Sequence, residues 1–275
     1  MTAGGADFLA RMAASSRARV AAARARESAA ALRRRAVARP APPPLELGEF
    51  GIIAELKLRS PAAGGLATAD FDRGAQLMAY AEGGAAAISV LTEPTEFRGE
   101  LEHVAEAAAL LAPHAVPVMR KDFLTDPYQA LEARAAGAGG ILVIVTMLDD
   151  DTVAALVDTA RALGLFVLLE CFDTADLARL VPYDRPAAGR KLLAGVNCRD
   201  LRDLTVRFER FAEVAPHLPQ HLPTVAESGI ESAADVAKLA RLGYRAALVG
   251  AALMRAGNAA RAVAELAAAG RAAAA

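Results

Sequence analysis

From residue 51 onward, eight short apolar runs alternate with amphipathic helical stretches, and few architectures accept such a chain. The runs span 51–57, 86–91, 116–121, 141–145, 166–170, 193–197, 224–227 and 246–250. Each is too short for a helix and rich in Val, Ile and Leu, as a strand buried on both faces is. Helix punctuation lies between them. Asp70 is placed to cap a helix through Gln76 and Glu82 that stops at Gly83-Gly84. Asp126-Pro127 reads as a cap with proline in the first turn of a helix ending at Gly137, and Ser232 opens one ending near Gly243. Strands that alternate with helices imply right-handed crossovers and a parallel sheet. Eight such units close most simply into a single (β/α)8 TIM barrel of the α/β class. An open doubly wound sheet would more often carry a glycine-rich dinucleotide loop after its first strand, and none is there. The 275 residues suit one barrel. We expect a helical extension and Pro-rich linker at 1–47 and the barrel at 48–275, one domain in all.

The extension is basic. Between 11 and 39, Arg11, Arg17, Arg19, Arg24, Arg26, Arg33, Arg34, Arg35 and Arg39 stand against Glu27 alone. A targeting presequence or a nucleic-acid arm could look like this. A solvated amphipathic helix is the simpler reading, because Phe8, Leu9, Met12 and Val20 recur at helical spacing and no aromatics interleave to stack on bases. Pro40, Pro42, Pro43 and Pro44 end the helix and stiffen the linker. A net charge of −1 gives no general attraction to nucleic acid or anionic membrane. Two cysteines without a CxxC spacing suggest neither a zinc site nor a disulfide scaffold. With no secretory leader and no apolar run long enough to span a membrane, we expect a cytoplasmic protein.

Polar residues gather at the carboxyl ends of the runs, where barrels carry chemistry. Glu55 and Lys57 are two apart and share a face. In Arg120-Lys121-Asp122-Phe123, alternation sends one of Arg120 and Lys121 inward. Glu170 ends the fifth run, Asn197-Cys198-Arg199 the sixth, Glu227-Ser228-Gly229 the seventh and Gly250 the eighth. Any one of these charges is more often an ion pair or a cap. Five runs ending in Lys, Glu or Asn on one parity are harder to explain so. Such a mouth desolvates its charges in part, which suits acid–base work. Ser228-Gly229 and Gly250-Ala251 each precede a helix start, so backbone N–H groups there can meet a phosphate, with Ser60 nearby. The four histidines lie away from run ends without metal spacing. Cys171 and Cys198 have the wrong parity for a nucleophile and read as packing residues. Asp149-Asp150-Asp151 reads as a helix cap.

Several motifs, in order, resemble the indole-3-glycerol-phosphate synthase family: Ile53-Ala54-Glu55-Leu56-Lys57 with Ser60-Pro61, Ile88-Ser89-Val90-Leu91-Thr92-Glu93, Arg120-Lys121-Asp122-Phe123 with Asp126-Pro127-Tyr128-Gln129, Gly195-Val196-Asn197 with Arg199, and Ala226-Glu227-Ser228-Gly229-Ile230. The likeness runs through nearly the whole chain and includes the N-terminal extension, which in the family lies over the barrel mouth. It implies a carboxy-lyase of tryptophan biosynthesis that needs no metal or redox cofactor. The substrate would be 1-(2-carboxyphenylamino)-1-deoxyribulose 5-phosphate, a small phosphorylated anthranilate derivative. Ring closure, decarboxylation and loss of water would give indole-3-glycerol phosphate.

By the family's pattern, Lys121 would protonate the ketone oxygen. Glu170 would be the base in dehydration, Lys57 its acid partner, and Glu55 the group that orients the lysines. Asn197 and Glu227 would bind polar groups of the substrate, and Arg199 its carboxylate. Phe97 and Phe123 would line the aromatic pocket, and Ser60, Ser228, Gly229, Gly250 and Ala251 would hold phosphate. We expect a monomer or weak homodimer with no nucleic-acid or membrane partner. The chain departs from the pattern at Ala251, often Ser, at Cys171-Phe172, often Val-His, and at Arg59 and Ala62. The Cys171-Phe172 and Ala251 departures motivate an alternative, a paralogue turning a substituted substrate into a related indole in secondary metabolism. A catalytically silent binding barrel is opposed by the intact Lys121 and Glu170. A phosphate-binding barrel isomerase would not carry these motifs.

Overall fold

The computed structural model describes residues 5–60, 64–65, 71–186, 191–199 and 205–274. Eight parallel strands form a closed barrel: β1 Gly51–Leu56, β2 Ala87–Leu91, β3 Val118–Lys121, β4 Gly140–Ile144, β5 Phe166–Cys171, β6 Leu192–Asn197, β7 Thr224–Glu227 and β8 Ala246–Val249. The last strand pairs with the first, Gly51 opposite Ala246, which closes the barrel. Every apolar run of the sequence is a barrel strand, with ends shifted by at most two residues. All eight are buried nearly throughout because side chains cover both faces. Ile53, Met119, Leu168 and Val225 fill the interior, while Ile52, Ile88, Val167 and Ala226 face the helices.

The caps behave largely as expected. Asp149 accepts from the Thr152 N–H at 2.7 Å, and Ser232 and Asp235 cap each other's backbone. Asp126 Oδ1 accepts from the Tyr128 N–H at 2.8 Å, but the N-cap of the helix Tyr128–Ala135 is Pro127, one residue later than expected. A second cap also differs. The helix Arg73–Glu82 is capped by Asp72, whose Oδ1 accepts from the Ala75 N–H at 3.0 Å; Asp70 lies outside the described residues. Two aspartates in one loop offer the same chemistry, and spacing does not choose between them.

The extension is helical but only its arginine-rich face is solvated. It forms α1, Gly5–Arg26, and α2, Ala29–Val37, with Ser28 capping α2. Phe8, Met12, Ser16, Val20 and Ala23 are buried. Arg19 donates through both terminal nitrogens to Asp122, just past β3, at 2.8 Å each. Gln129 Nε2 donates to Ser16 Oγ at 2.9 Å, and Arg24 pairs with Asp126 at 2.7 Å. α1 therefore lies on the segment that follows β3, with Phe8 and Met12 joining the inner core cluster. α2 packs on the helix Tyr128–Ala135. Among the described residues no helix is long and apolar enough to cross a membrane.

Candidate active site

The inward parity of β1 brings Glu55 and Lys57 to the barrel mouth. Glu55 is buried and sits between two cations, with Lys57 Nζ 2.7 Å from Oε1 and Lys121 Nζ 3.4 Å from Oε2. Burial alone would raise its pKa. The charges of Lys57 and Lys121 overcome that and hold it at about 2. Burial would in turn lower Lys121, but Glu55, Glu170 and Glu227 face it and push it above its ordinary value. Lys121 is thus a charged ammonium at neutral pH, a proton donor held by carboxylates.

Alternation left Arg120 and Lys121 undecided, and packing resolves them. Lys121 faces in. Arg120 turns outward and is buried beneath the helix Tyr128–Ala135, where it pairs with Asp122 at 3.1 Å and Glu132 at 3.0 Å and donates to the Gln129 carbonyl at 3.1 Å. A buried guanidinium needs such a set of acceptors.

Across the mouth, Asn197 Nδ2 donates to Glu170 Oε1 at 3.0 Å. The Arg199 N–H donates to Asn197 Oδ1 at 2.9 Å, which fixes the amide's orientation. Glu227 is buried, and among the described residues neither of its oxygens meets a hydrogen-bond partner. Burial first, then the charge of Glu170, push its pKa well above the carboxylate range, with Lys121 opposing. Its surroundings therefore favour the protonated form of Glu227 more than water would.

Two glycines make room for these carboxyls. A Cβ on Gly195 would lie 2.1 Å from Glu227 Oε1, and one on Gly250 would lie 2.4 Å from Glu55 Oε1. At the other end of the site, Ser228 and Gly229 both take left-handed backbone, with φ of 71° and 66°. That geometry is uncommon for serine. Gly250 caps the short helix Ala251–Arg255, whose first N–H groups have no partner within the helix.

These groups line one cavity of about 320 Å³, large enough for a small organic ligand. Its wall contains Glu55, Lys57, Phe97, Lys121, Phe123, Glu170, Asn197, Arg199, Glu227, Ser228, Gly229, Gly250 and Ala251. The structure thus brings together every site residue read from the sequence except Ser60, whose side chain lies outside the described residues, as do Pro61 and Ala62. Phe97 is set by a four-residue helix capped by Glu93, and its ring centroid is 6.1 Å from that of Phe123. Phe8 of α1 stacks edge-on against Phe123 at 5.9 Å and completes an aromatic wall. Sequence reasoning missed Phe8 as a lining residue. Its helical spacing with Met12 was the available signal. Leu142, Ile144 and Leu248 also line the cavity, as the inward parity of β4 and β8 would have told.

The departures lie elsewhere. Cys171 and Cys198 belong to the outer cluster, free and buried. Cys171, Phe172 and Arg59 are absent from the cavity wall, so among the described departures only Ala251 touches it.

A family model for indole-3-glycerol phosphate synthase matches residues 9–266. An indole-3-glycerol phosphate synthase of Nocardioides sp. is 44% identical over 230 residues, 82% of this chain and 85% of that one. One from Mycobacterium tuberculosis is 41% identical over 243 residues, 86% of this chain and 85% of the relative. Among solved structures, 3-hexulose-6-phosphate synthase from Salmonella typhimurium has a TM-score of 0.60 at 16% identity, covering 80% of this chain and 98% of that one. That last likeness shows the barrel alone. The family model reaches further, because residues 9–266 take in most of the docked extension and all eight strand ends that build the cavity, and the chain belongs to the indole-3-glycerol phosphate synthase family.

Proposed function

We propose that this chain closes the indole ring of 1-(2-carboxyphenylamino)-1-deoxyribulose 5-phosphate, releasing carbon dioxide and water to give indole-3-glycerol phosphate. One observation carries the residue assignments: Glu55 holds two lysines, Lys57 and Lys121, in a cavity that also contains Glu170 and an aromatic wall. The first step makes a carbon–carbon bond as the ketone oxygen gains a proton. Lys121 supplies it, because the surrounding carboxylates keep the ammonium charged and fixed. Loss of carbon dioxide restores the aromatic ring. The last step removes water, with Glu170 taking the proton from carbon. Arg199 holds the aromatic carboxylate through its planar fork, and Phe8, Phe97 and Phe123 flank the ring. Phosphate sits at Ser228, Gly229, Gly250 and Ala251, with Ser60 beside them. Purified protein incubated with this substrate is expected to form the indole product; no product would overturn the reading.

The secondary-metabolism alternative drew on Cys171-Phe172 and Ala251; Cys171 and Phe172 are off the cavity wall, Ala251 is on it, and the sequence relatives carry the synthase name. We further infer a cytoplasmic enzyme acting as a monomer or weak homodimer, in keeping with its balanced charge and its free cysteines.

Two substitutions test the assignments. Ala251→Ser adds a hydroxyl at the phosphate end, and one hydrogen bond of about 0.5–1.5 kcal/mol should lower KM severalfold with little change in kcat. Steady-state kinetics would show it, and an unchanged KM would remove Ala251 from the phosphate site. Gly250→Ala places a methyl against Glu55 and displaces its carboxylate from the lysines. A displacement on that scale is expected to cost about 10²-fold in kcat/KM, with thermal unfolding shifted little.

A further inference from the structure

Glu93 ends a sequence motif that the proposed chemistry does not use, yet it is completely buried just past β2. A buried carboxyl needs partners, and Glu93 finds them in a single loop. Its Oε1 accepts from the Thr95 N–H at 3.0 Å, and its Oε2 accepts from the Glu96 N–H at 2.6 Å and the Phe97 N–H at 3.2 Å. Its carbonyl accepts from the Gly99 N–H at 2.8 Å. Pro94 has no N–H, so Glu93 takes every remaining donor of the helix Pro94–Phe97.

A helix of four residues does not hold its own shape in water. Pro94, Thr95 and Arg98 are exposed and give it little packing. The far end of the loop is closed by close approach, because a Cβ on Gly99 would lie 2.2 Å from the Leu91 carbonyl oxygen. Glu93 therefore sets where the loop stands, and with it the Phe97 ring on the cavity wall. The neighbouring ring is held in the same way, since Asp122 Oδ1 accepts from the Phe123 N–H at 2.8 Å. Arg19 of α1 bonds to Asp122 and also faces Glu93. The two carboxylates thus share one cation, and the rings they hold stand 6.1 Å apart between centroids.

We propose that Glu93 is the positioning residue for aromatic recognition: through the Phe97 N–H it holds that ring against the anthranilate ring of the substrate, and so governs affinity for the aryl group without taking part in proton transfer. The proposal rests on the synthase reading and gives a role to a residue that the resemblance leaves without one.

The test is steady-state kinetics of Glu93→Met, which keeps the side-chain length and removes both carboxylate oxygens. KM for the carboxyphenylamino substrate should rise about three- to tenfold, the worth of one aromatic contact, with kcat nearly unchanged. Ribulose 5-phosphate, a sugar phosphate without the ring, should inhibit wild type and variant equally. Glu93→Gln should recover most of the affinity, since its carbonyl oxygen can still accept from the Glu96 and Phe97 N–H groups. In a Phe97→Ala background, Glu93→Met should raise KM no further, because the ring it positions is gone. Gly99→Ala displaces the same loop from its other end and should raise KM with Glu93 intact. An unchanged KM in Glu93→Met would overturn the proposal. So would an equal rise with and without the Phe97 ring, or a parallel loss of ribulose 5-phosphate inhibition. Should Glu93→Met not fold, Gly99→Ala decides by the same three readings. A wild type that forms no indole product would instead overturn the synthase reading.

Discussion

Lys121→Ala is expected to lower kcat/KM for indole formation by about 10²–10⁴-fold, the range for losing a positioned acid. The loss should fall on kcat more than on KM, because the ammonium acts where charge develops on the ketone oxygen. Its effect spreads beyond the missing proton. Lys121 faces Glu55, Glu170 and Glu227, and its own pKa is raised by all three. Without it, Glu55 keeps only Lys57, at 2.7 Å. Lys121→Arg should not restore the rate, since a planar guanidinium cannot place one donor where the ammonium stood. Steady-state assays by indole fluorescence, with circular dichroism to check folding, give the answer. Activity of Lys121→Ala within about tenfold of wild type would remove Lys121 from the chemistry.

Asp122→Ala is expected to destabilise the fold by about 3–5 kcal/mol, the cost of breaking a buried charge pair by removing one partner. Asp122 is buried, and its carboxylate accepts from both terminal nitrogens of Arg19, from Thr92 Oγ1 at 2.7 Å, from Arg120 at 3.1 Å and from the Phe123 N–H at 2.8 Å. Removing it leaves two guanidiniums facing a void. Arg120 keeps Glu132, but Arg19 loses its hold on the barrel. Urea unfolding should show the lost stability, and hydrogen exchange should show α1 losing protection before the strands. The pH dependence has a definite sign. Burial would raise Asp122, but the Arg19 hydrogen bonds and the Arg120 charge hold it well below its ordinary 3.8. Its contribution is therefore present above that ordinary value and lost as pH falls toward the depressed one. Wild type should lose stability in that acid window, and Asp122→Ala should lose less there. An equal acid loss in both proteins would mean that other carboxylates carry it.

Much of this was legible in the chain because strand parity is local. Glu55 with Lys57, and Asn197 with Arg199, needed only the two-residue repeat of a strand. The choice between Arg120 and Lys121 was not local. It depends on Glu132 and Gln129, which lie on the helix that follows. The docking of α1 was less legible still. Composition showed a basic amphipathic helix, but Arg19 finds its acceptor 103 residues later, and no pattern within the helix reports it. Gly195 likewise looks like an ordinary strand glycine until the neighbouring strand brings Glu227 over it.

That separation of 103 residues also sets an order of events as the chain is made. α1 leaves the ribosome first, yet Asp122, Asp126 and Gln129 must all emerge before it has anywhere to dock. Until then Phe8, Met12 and Val20 stay uncovered on a helix whose other face is crowded with arginine. The nascent barrel must therefore carry its own first helix as an unsatisfied, sticky arm through the synthesis of three strands. A chain that stalls before β3 is complete presents that arm to chaperones and proteases.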